Sequence, residues 1–562
     1  MNDYFHLGSY HRPVDTRCDE AQTWFDRGLI WSYGFNHEEA VFCFDQALAA
    51  DPHCAMAQWG LAYTLGPNYN KPWEFFDPDE LRSTAQRTHT AATAAIAHTT
   101  DTDTVETALA QALLARYPAA TGPSTAEQPI WNQAYADAMG DVYRRFPDDL
   151  DVAALYADAL MNLTPWELWD ITVGEYAPGS RTGEAKAVLE AALALPGGRE
   201  HPGVLHFYIH LMEMSPTPEA AMPVADLLRG LVPDAGHLEH MPTHLDILCG
   251  DYRRAIASNG DAIRADRRFV ENRGALNFAT LYRAHDLHFR IYAAMFAGRL
   301  ETALESATAL EEEIPESLLR VESPPMADWL EGFLTSRAHV LVRFGRWEEI
   351  LALPLPDDPA LHCVLTATMR YARGIALAVL GRVDEARTEQ QRFRDALTTV
   401  PNSRMLFNNT CIDILRVAEA MLDGEITYRT GQFEEAFTLL REAVRRDDAL
   451  PYDEPWGWMQ PTRHALGALL LERGRIDDAA AIYAADLGLD SSLPRALQHP
   501  DNVWALHGYH ECLVRLGRDA EAALIASRLR LATAYADVPI TASCFCRVGE
   551  QGGEAAHGCC AD

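Results

Sequence analysis

From Ala21 onward, apolar residues recur three and four positions apart in blocks of about a dozen, most of them closed by Gly or Pro, which predicts a succession of amphipathic helices. In the first block Trp24, Gly28, Ala40, Phe44, Ala47 and Pro52 fall at positions 4, 8, 20, 24, 27 and 32 of a 34-residue unit that starts at Ala21. A second helix pair begins at Cys54-Ala55-Met56 and breaks at Gly66 and Pro67. Between Trp73 and Pro147 the period degenerates, and Ala-rich helices are expected over 80–99, 104–116 and 128–145, separated by the polar loops HTTDTDT and PAATGPST. A helix over 151–163 precedes the aromatic segment PWELWD and the loop GEYAPGSRTG. The register then returns at Gly250, Gly298, Gly345, Gly381, Gly431, Gly474 and Gly517, in most cases with a bulky residue two positions on and Ala three further. The last helix is expected to end near Asp537, and the Gly- and Cys-rich remainder has no core of its own.

This spacing resembles the tetratricopeptide (TPR) repeat, in which small residues let two helices cross closely and Pro ends the second. The resemblance implies an all-α fold, a TPR-type helical-repeat solenoid in which antiparallel helix pairs wind into a right-handed superhelix. The expected divisions are an N-terminal arm (1–20), N-terminal repeats (21–170), His-rich central repeats (171–320), C-terminal repeats (321–537) and a Cys/Gly-rich tail (538–562).

Composition changes that picture in one place. With 21 His in 562 residues, about three should fall between positions 201 and 288. Eight do: His201, His206, His210, His237, His240, His244, His285 and His288. On a helix His206, His210 and Glu213 share one stripe, and His237, His240 and His244 share another. Counted back from Gly250 as position 15, His237, His240 and His244 take positions 2, 5 and 9; counted from Gly298, His285, His288 and Tyr292 take the same three. In the resembled family those positions line the concave groove, so three successive helices are expected to aim imidazoles into it. His339, His464 and His507 fall at groove positions too, as do Trp59 and Tyr63, as walls or supporting groups.

Imidazoles at i, i+3 or i, i+4 lie close enough to share one ion, whereas residues 237 and 244 are ~10 Å apart along a helix axis. One ion therefore takes at most one pair from each helix. Neutral imidazole suits copper, iron, nickel and zinc, and a site needs about four ligands. Seven imidazoles with Glu213 exceed one ion, so one or two are expected: His206/His210 and His240/His244 hold metal, while His237, His285 and His288 complete a second site. The scarcity of carboxylates argues against a carboxylate-bridged di-iron centre. Copper or iron is favoured, with zinc the alternative. Glu213, His288 and Tyr292 are the candidate catalytic groups; in a hydrolytic version Glu213 or His288 moves the proton.

Other polar groups have plainer readings. Asn36 is expected to cap a helix, with His37 left open. Trp59, Asn68, Asn70 and Trp166 are read as packing and turn residues. Cys544 and Cys546 are a thiolate ligand pair, a redox pair or incidental, and Cys559-Cys560 carries the same ambiguity.

A net charge of −34 opposes nucleic acid and anionic lipid as partners. No run approaches ~18 apolar residues, the start has no apolar leader, and eleven scattered Cys fit a reducing compartment, so a cytoplasmic protein is expected. Gly-rich nucleotide loops and the G-x-S-x-G elbow are absent, which leaves NAD, ATP and serine-hydrolase chemistry without support.

Beyond the repeat, FNHEEA, CAMAQWGLAYTLGPNYN, YADALMNLTPWELW, HPGVLHFYIH, GHLEHMPTHLDI, HDLHF, YDEPWGW and SCFCR resemble strings in a group of bacterial His-rich TPR proteins, over roughly residues 20–547. That likeness implies a fold and a metal centre but no reaction; His507 and His510 depart from it. The expected function is a metal-dependent enzyme acting on a small molecule or peptide, oxidative chemistry ahead of hydrolysis. The alternative is a scaffold that binds a peptide or protein partner, or a metal-delivery protein.

Overall fold

The structure is a computed structural model that describes residues 4–99 and 101–548. Helix accounts for 66% of the chain and strand for 2%, so the all-α expectation holds. Two compact units are present: residues up to Asp246 with Ser258–Arg283 form the first, and Ile247–Ala257 with Ala284 onward form the second.

In the first unit Asp19–Tyr33 packs on His37–Ala50, which packs on Ala55–Leu65. Short turns force neighbouring helices antiparallel. Their crossing is close because Phe44 fills a notch between two glycines: a Cβ on Gly28 or Gly60 would lie 2.7 or 2.4 Å from its ring. Asn36 caps the second helix as expected, its side chain accepting the Glu39 N–H. The helices Pro78–His98, Val105–Arg116, Gln128–Arg145 and Leu150–Met161 follow close to their expected bounds.

Two local features depart from the sequence reading. The PWELWD segment and its loop contain a short antiparallel strand pair, Trp169–Asp170 with Glu175–Tyr176. The single stripe expected across residues 237–244 is split between Gly236–His240 and Pro242–Leu248, since Pro242 has no N–H to return to the preceding turn.

The second unit repeats the hairpin: Cys363–Val379 with Val383–Leu397, Cys411–Arg429 with Phe433–Asp448, Thr462–Glu472 with Ile476–Asp486, and Val503–Arg515 with Asp519–Tyr535. The anchoring glycines at 250, 298, 345, 381, 431, 474 and 517 all have positive φ, between 64° and 82°. Each takes the left-handed seat that closes a helix. In the first repeat that seat, position 15, belongs to Phe35, at φ 55°. A second strand pair, Met405–Leu406 with Asn409–Thr410, was not foreseen either.

The segment after Asp537 was expected to lack a core, yet as far as residue 548 it docks on the second unit. Asp537 accepts the N–H groups of Leu300 and Glu301 at 2.7 and 3.1 Å. Phe545 covers Gly345, where a Cβ would lie 2.6 Å away, and Cys544 and Cys546 are joined as a disulfide. Cys559 and Cys560 lie outside the described residues. Among those described, no helix is long and apolar enough to cross a membrane.

The Phe44 notch is directly testable. Gly60→Ala should destabilise the protein by about 1–3 kcal/mol through overpacking. A lower urea midpoint with an unchanged slope would show it; an unchanged midpoint would refute the close-crossing account.

Candidate metal centre

The His-bearing helix Pro202–Glu213 is fixed at its first turn. His201 Nδ1 accepts the Val204 N–H at 3.1 Å, which leaves Nε2–H facing Asp151 Oδ1 at 3.2 Å. Asp151 also accepts from the Tyr10 and Tyr33 hydroxyls at 2.6 and 2.5 Å and from Arg12. Burial alone would raise this carboxyl, but the Arg12 guanidinium, His201 and Tyr10 outweigh it and hold it far below the usual carboxylate range. Gly203 brings the helix against Tyr33, since a Cβ there would lie 2.5 Å from that ring. The end of Asp19–Tyr33 and the start of Pro202–Glu213 are therefore locked together.

That lock sets the first imidazole. The Tyr33 carbonyl can only accept, so His206 Nδ1, at 2.5 Å, carries the proton and Nε2 keeps its lone pair. One turn on, His210 Nδ1 donates to Glu213 Oε1 at 3.0 Å, with the same result. His237 comes in on Gly236–His240, its ring resting on Tyr282 at 4.5 Å. His206 Nε2, His210 Nε2 and both His237 nitrogens are buried without a hydrogen-bond partner among the described residues. Each of the three rings offers a ligand atom, and these atoms lie within 4.8 Å of one another. His237, expected to complete a second site, thus converges with His206 and His210.

His240 and His244 adjoin this trio. The other oxygen of Glu213 accepts from His244 Nδ1 at 2.6 Å, so one carboxylate orients His210 and His244 together. His244 Nε2 then carries a lone pair, and it faces His240 Nε2 at 2.8 Å. His240 Nδ1 lies 2.6 Å from Asn259 Oδ1. If that oxygen accepts from Nδ1, two lone pairs confront each other and a cation beside them relieves the repulsion; if the amide is turned, His240 Nε2–H donates to His244. His210, Glu213 and His244 form a further compact group of ligand atoms.

Burial, reinforced by the neighbouring rings, pushes His206, His210, His237 and His240 well below the ordinary imidazole range, so they are neutral and ligand-competent. Burial raises the Glu213 carboxyl, and His244 opposes that rise. Aromatic rings enclose the trio: Phe35 lies 4.7 Å from His206 and 5.7 Å from His210, and Tyr69 5.0 Å from His210. Trp166, read as a packing residue, sits 5.8 Å from His210. A cleft of about 20 Å³ reaches His237, room for one water-sized molecule.

The remaining candidate ligands and catalytic groups belong to the second unit. His285 packs edge-on against Phe407 and Phe289, and His288 against Phe333. Burial, then the charge of His339, pushes His288 down to about 3. Tyr292 is buried beside Phe296 at 4.4 Å. His464 is a bonded core residue, held between Arg343 and Asp486. Sequence reasoning missed Tyr33, Asn259 and Phe35. Only Phe35 left a signal, as the bulky residue at a position where seven other turns have Gly.

No known family profile matches the chain, and no curated protein matches it. Solved structures that align with it include a Rap protein complexed with competence and sporulation factor (11% identity, 72% of this chain and 98% of that one, TM-score 0.30). Two others are the APC/C hetero-tetramer Cut9-Hcn1 (10%, 92% and 88%, 0.29) and Naa15/Naa10 bound to HypK-THB (13%, 91% and 70%, 0.21). Likeness of that degree carries no argument about what this chain does.

Two outcomes follow from the geometry. Glu213→Gln cannot accept from both His210 and His244, and should weaken metal affinity about 10–100-fold, measured by chelator competition, with the fold intact. Asp151 has its folded value depressed, so its contribution is present at neutral pH and lost as pH falls below about 5. Asp151→Asn should cost about 3–5 kcal/mol at pH 7 and flatten the acid limb of a urea-stability series; parallel limbs would exclude this role.

Proposed function

We propose that the first unit is a metal-dependent enzyme in which His206, His210 and His237 hold one transition-metal ion, with His240 and His244 offering a second position. The observation that carries this reading is the convergence of three buried imidazoles whose ligand nitrogens lack any hydrogen-bond partner among the described residues. An unsatisfied buried polar group costs about 1–3 kcal/mol. Several in one place call for a common partner; a single water can donate to only two lone pairs, whereas one cation is shared by all three rings. The donor set fits: neutral nitrogens, with Tyr33 and Glu213 fixing the tautomers of two ligands from behind. Copper or iron bound there supplies redox chemistry at a centre with three protein ligands, whereas zinc would supply a Lewis acid.

Oxidative chemistry is favoured over hydrolysis. Hydrolysis needs a free base beside an activated water, and both Glu213 oxygens already accept from imidazoles. The five His are at most 5% exposed, an enclosure that suits reactive intermediates better than bulk-water access. The same burial disfavours a scaffold that grips a peptide through these rings. The substrate is a small molecule, and metal delivery is the remaining non-enzymatic reading.

Metal analysis with an absorption spectrum, on protein purified without chelator, tests the proposal. One or two copper or iron ions per chain are expected. His237→Ala should lose most of the metal while its far-UV circular dichroism stays unchanged. Wild-type protein that neither carries nor takes up metal would overturn the reading; metal that transfers completely to an apo-acceptor, with no turnover, would favour delivery.

A further inference from the structure

The first unit contains a second, larger cavity, of about 190 Å³. At ~15 Å³ per water it has room for a molecule of about a dozen non-hydrogen atoms. Its rim is exposed, at Glu38, Ser83 and Arg87, while Phe35, Asn68 and Thr84 lie buried in its wall. Phe35 is the shared partition: the ring that lines this cavity also packs on His206, His210 and His237. Its backbone occupies the left-handed seat that glycine takes in seven other turns. A bulky residue there is strained by about 1–2 kcal/mol, and the strain places a ring between chamber and centre.

The polar groups of this cavity are unusual for the chain. Lys71 is one of only two lysines in 562 residues. It is held in place by reciprocal backbone bonds to Asn68 at 3.1 Å and by the Asn68 side chain accepting its N–H at 2.9 Å. Its ammonium rests 4.5 Å from the Phe76 ring and 5.3 Å from the Phe278 ring, and pairs with Glu80 at 2.5 Å. His37, left open by the sequence, also lines the cavity; its Nδ1 faces the Asn68 amide at 3.4 Å, the backbone of Thr64 and Gly66 adjoins the ring, and its Nε2 is buried with no well-aligned hydrogen-bond partner among the described residues. Burial and the Arg116 charge push that imidazole down to about 3, so it is neutral and adds no competing charge. Glu80 takes one of the three ammonium N–H groups; the others, on a fixed cation flanked by rings, together with the neutral imidazole, match an anionic head on a short apolar body.

We propose that this cavity binds a small organic carboxylate, its anionic end on Lys71, a polar atom on His37 and its apolar part against Phe35, next to the His centre. The substrate class rests on the metalloenzyme reading; the binding site itself does not. Full-length protein, purified without chelator, is titrated calorimetrically with benzoate, benzamide and benzylamine, and its metal content is measured in parallel. Saturable benzoate binding is expected, with benzamide and benzylamine at least tenfold weaker. Lys71→Met should weaken benzoate at least tenfold and leave benzamide within about twofold. His37→Phe provides an independent second variant and should weaken benzoate several-fold, circular dichroism reporting the fold of both. Absence of benzoate binding, equal affinity for benzylamine, or a folded Lys71→Met that binds benzoate normally would overturn the proposal even in metal-loaded protein. Lys71-dependent binding in protein that takes up no metal would sustain the site and remove the metalloenzyme reading.

Discussion

An imidazole nitrogen withdrawn from water must find a partner, and for Nε2 of His206 and His210 and both nitrogens of His237 the protein supplies none from its own described atoms. This constraint governs the first unit. Apolar rings around the trio deepen the penalty by removing water, and they make any cation at the shared focus correspondingly better held. A core built only for stability would place Leu or Phe at such positions. Keeping four unsatisfied nitrogens on three rings there is intelligible when something else completes them.

The scaffold's contribution is orientation. The Tyr33 carbonyl and the Glu213 carboxylate each take an N–H from the far side of a ring, which decides where the lone pairs point. The Asp151 cluster, with Tyr10, Arg12 and His201, ties the N-terminal arm to the helix that carries those rings. A repeat architecture suits this task because adjacent helices approach closely wherever glycine allows, as Gly203 does against Tyr33.

Much of this was readable from the residues. The i, i+4 spacing of His206 and His210 and the Gly anchors of the later hairpins announced both the helices and the stripe, because each depends on local periodicity alone. The grouping was not readable: whether His237 joins His206 or a separate site depends on the distance between two helices, and on the break that Pro242 imposes. Asn259 was invisible for a similar reason, since a lone Asn on a long helix has no pattern to mark it. The docking of Phe545 and the short strand pairs likewise depend on tertiary partners that sequence spacing does not encode. The concentration of His marks a candidate centre, and what separates His206, His210 and His237 from a satisfied core residue such as His464 is that their orphaned nitrogens converge.

The bond from His206 to the Tyr33 carbonyl couples ligand geometry to a helix terminus, ordinarily the part of a helix that frays most readily. Coupling of this kind is reciprocal: whatever steadies the ring also steadies the last turn of Asp19–Tyr33. Occupancy at the focus would accordingly be felt as slower amide hydrogen exchange around Gly34 and Asn36, whose N–H groups bond to Ile30 and Trp31 in that terminal turn. The first hairpin thereby becomes a reporter of the centre, open to observation without any knowledge of what the protein transforms.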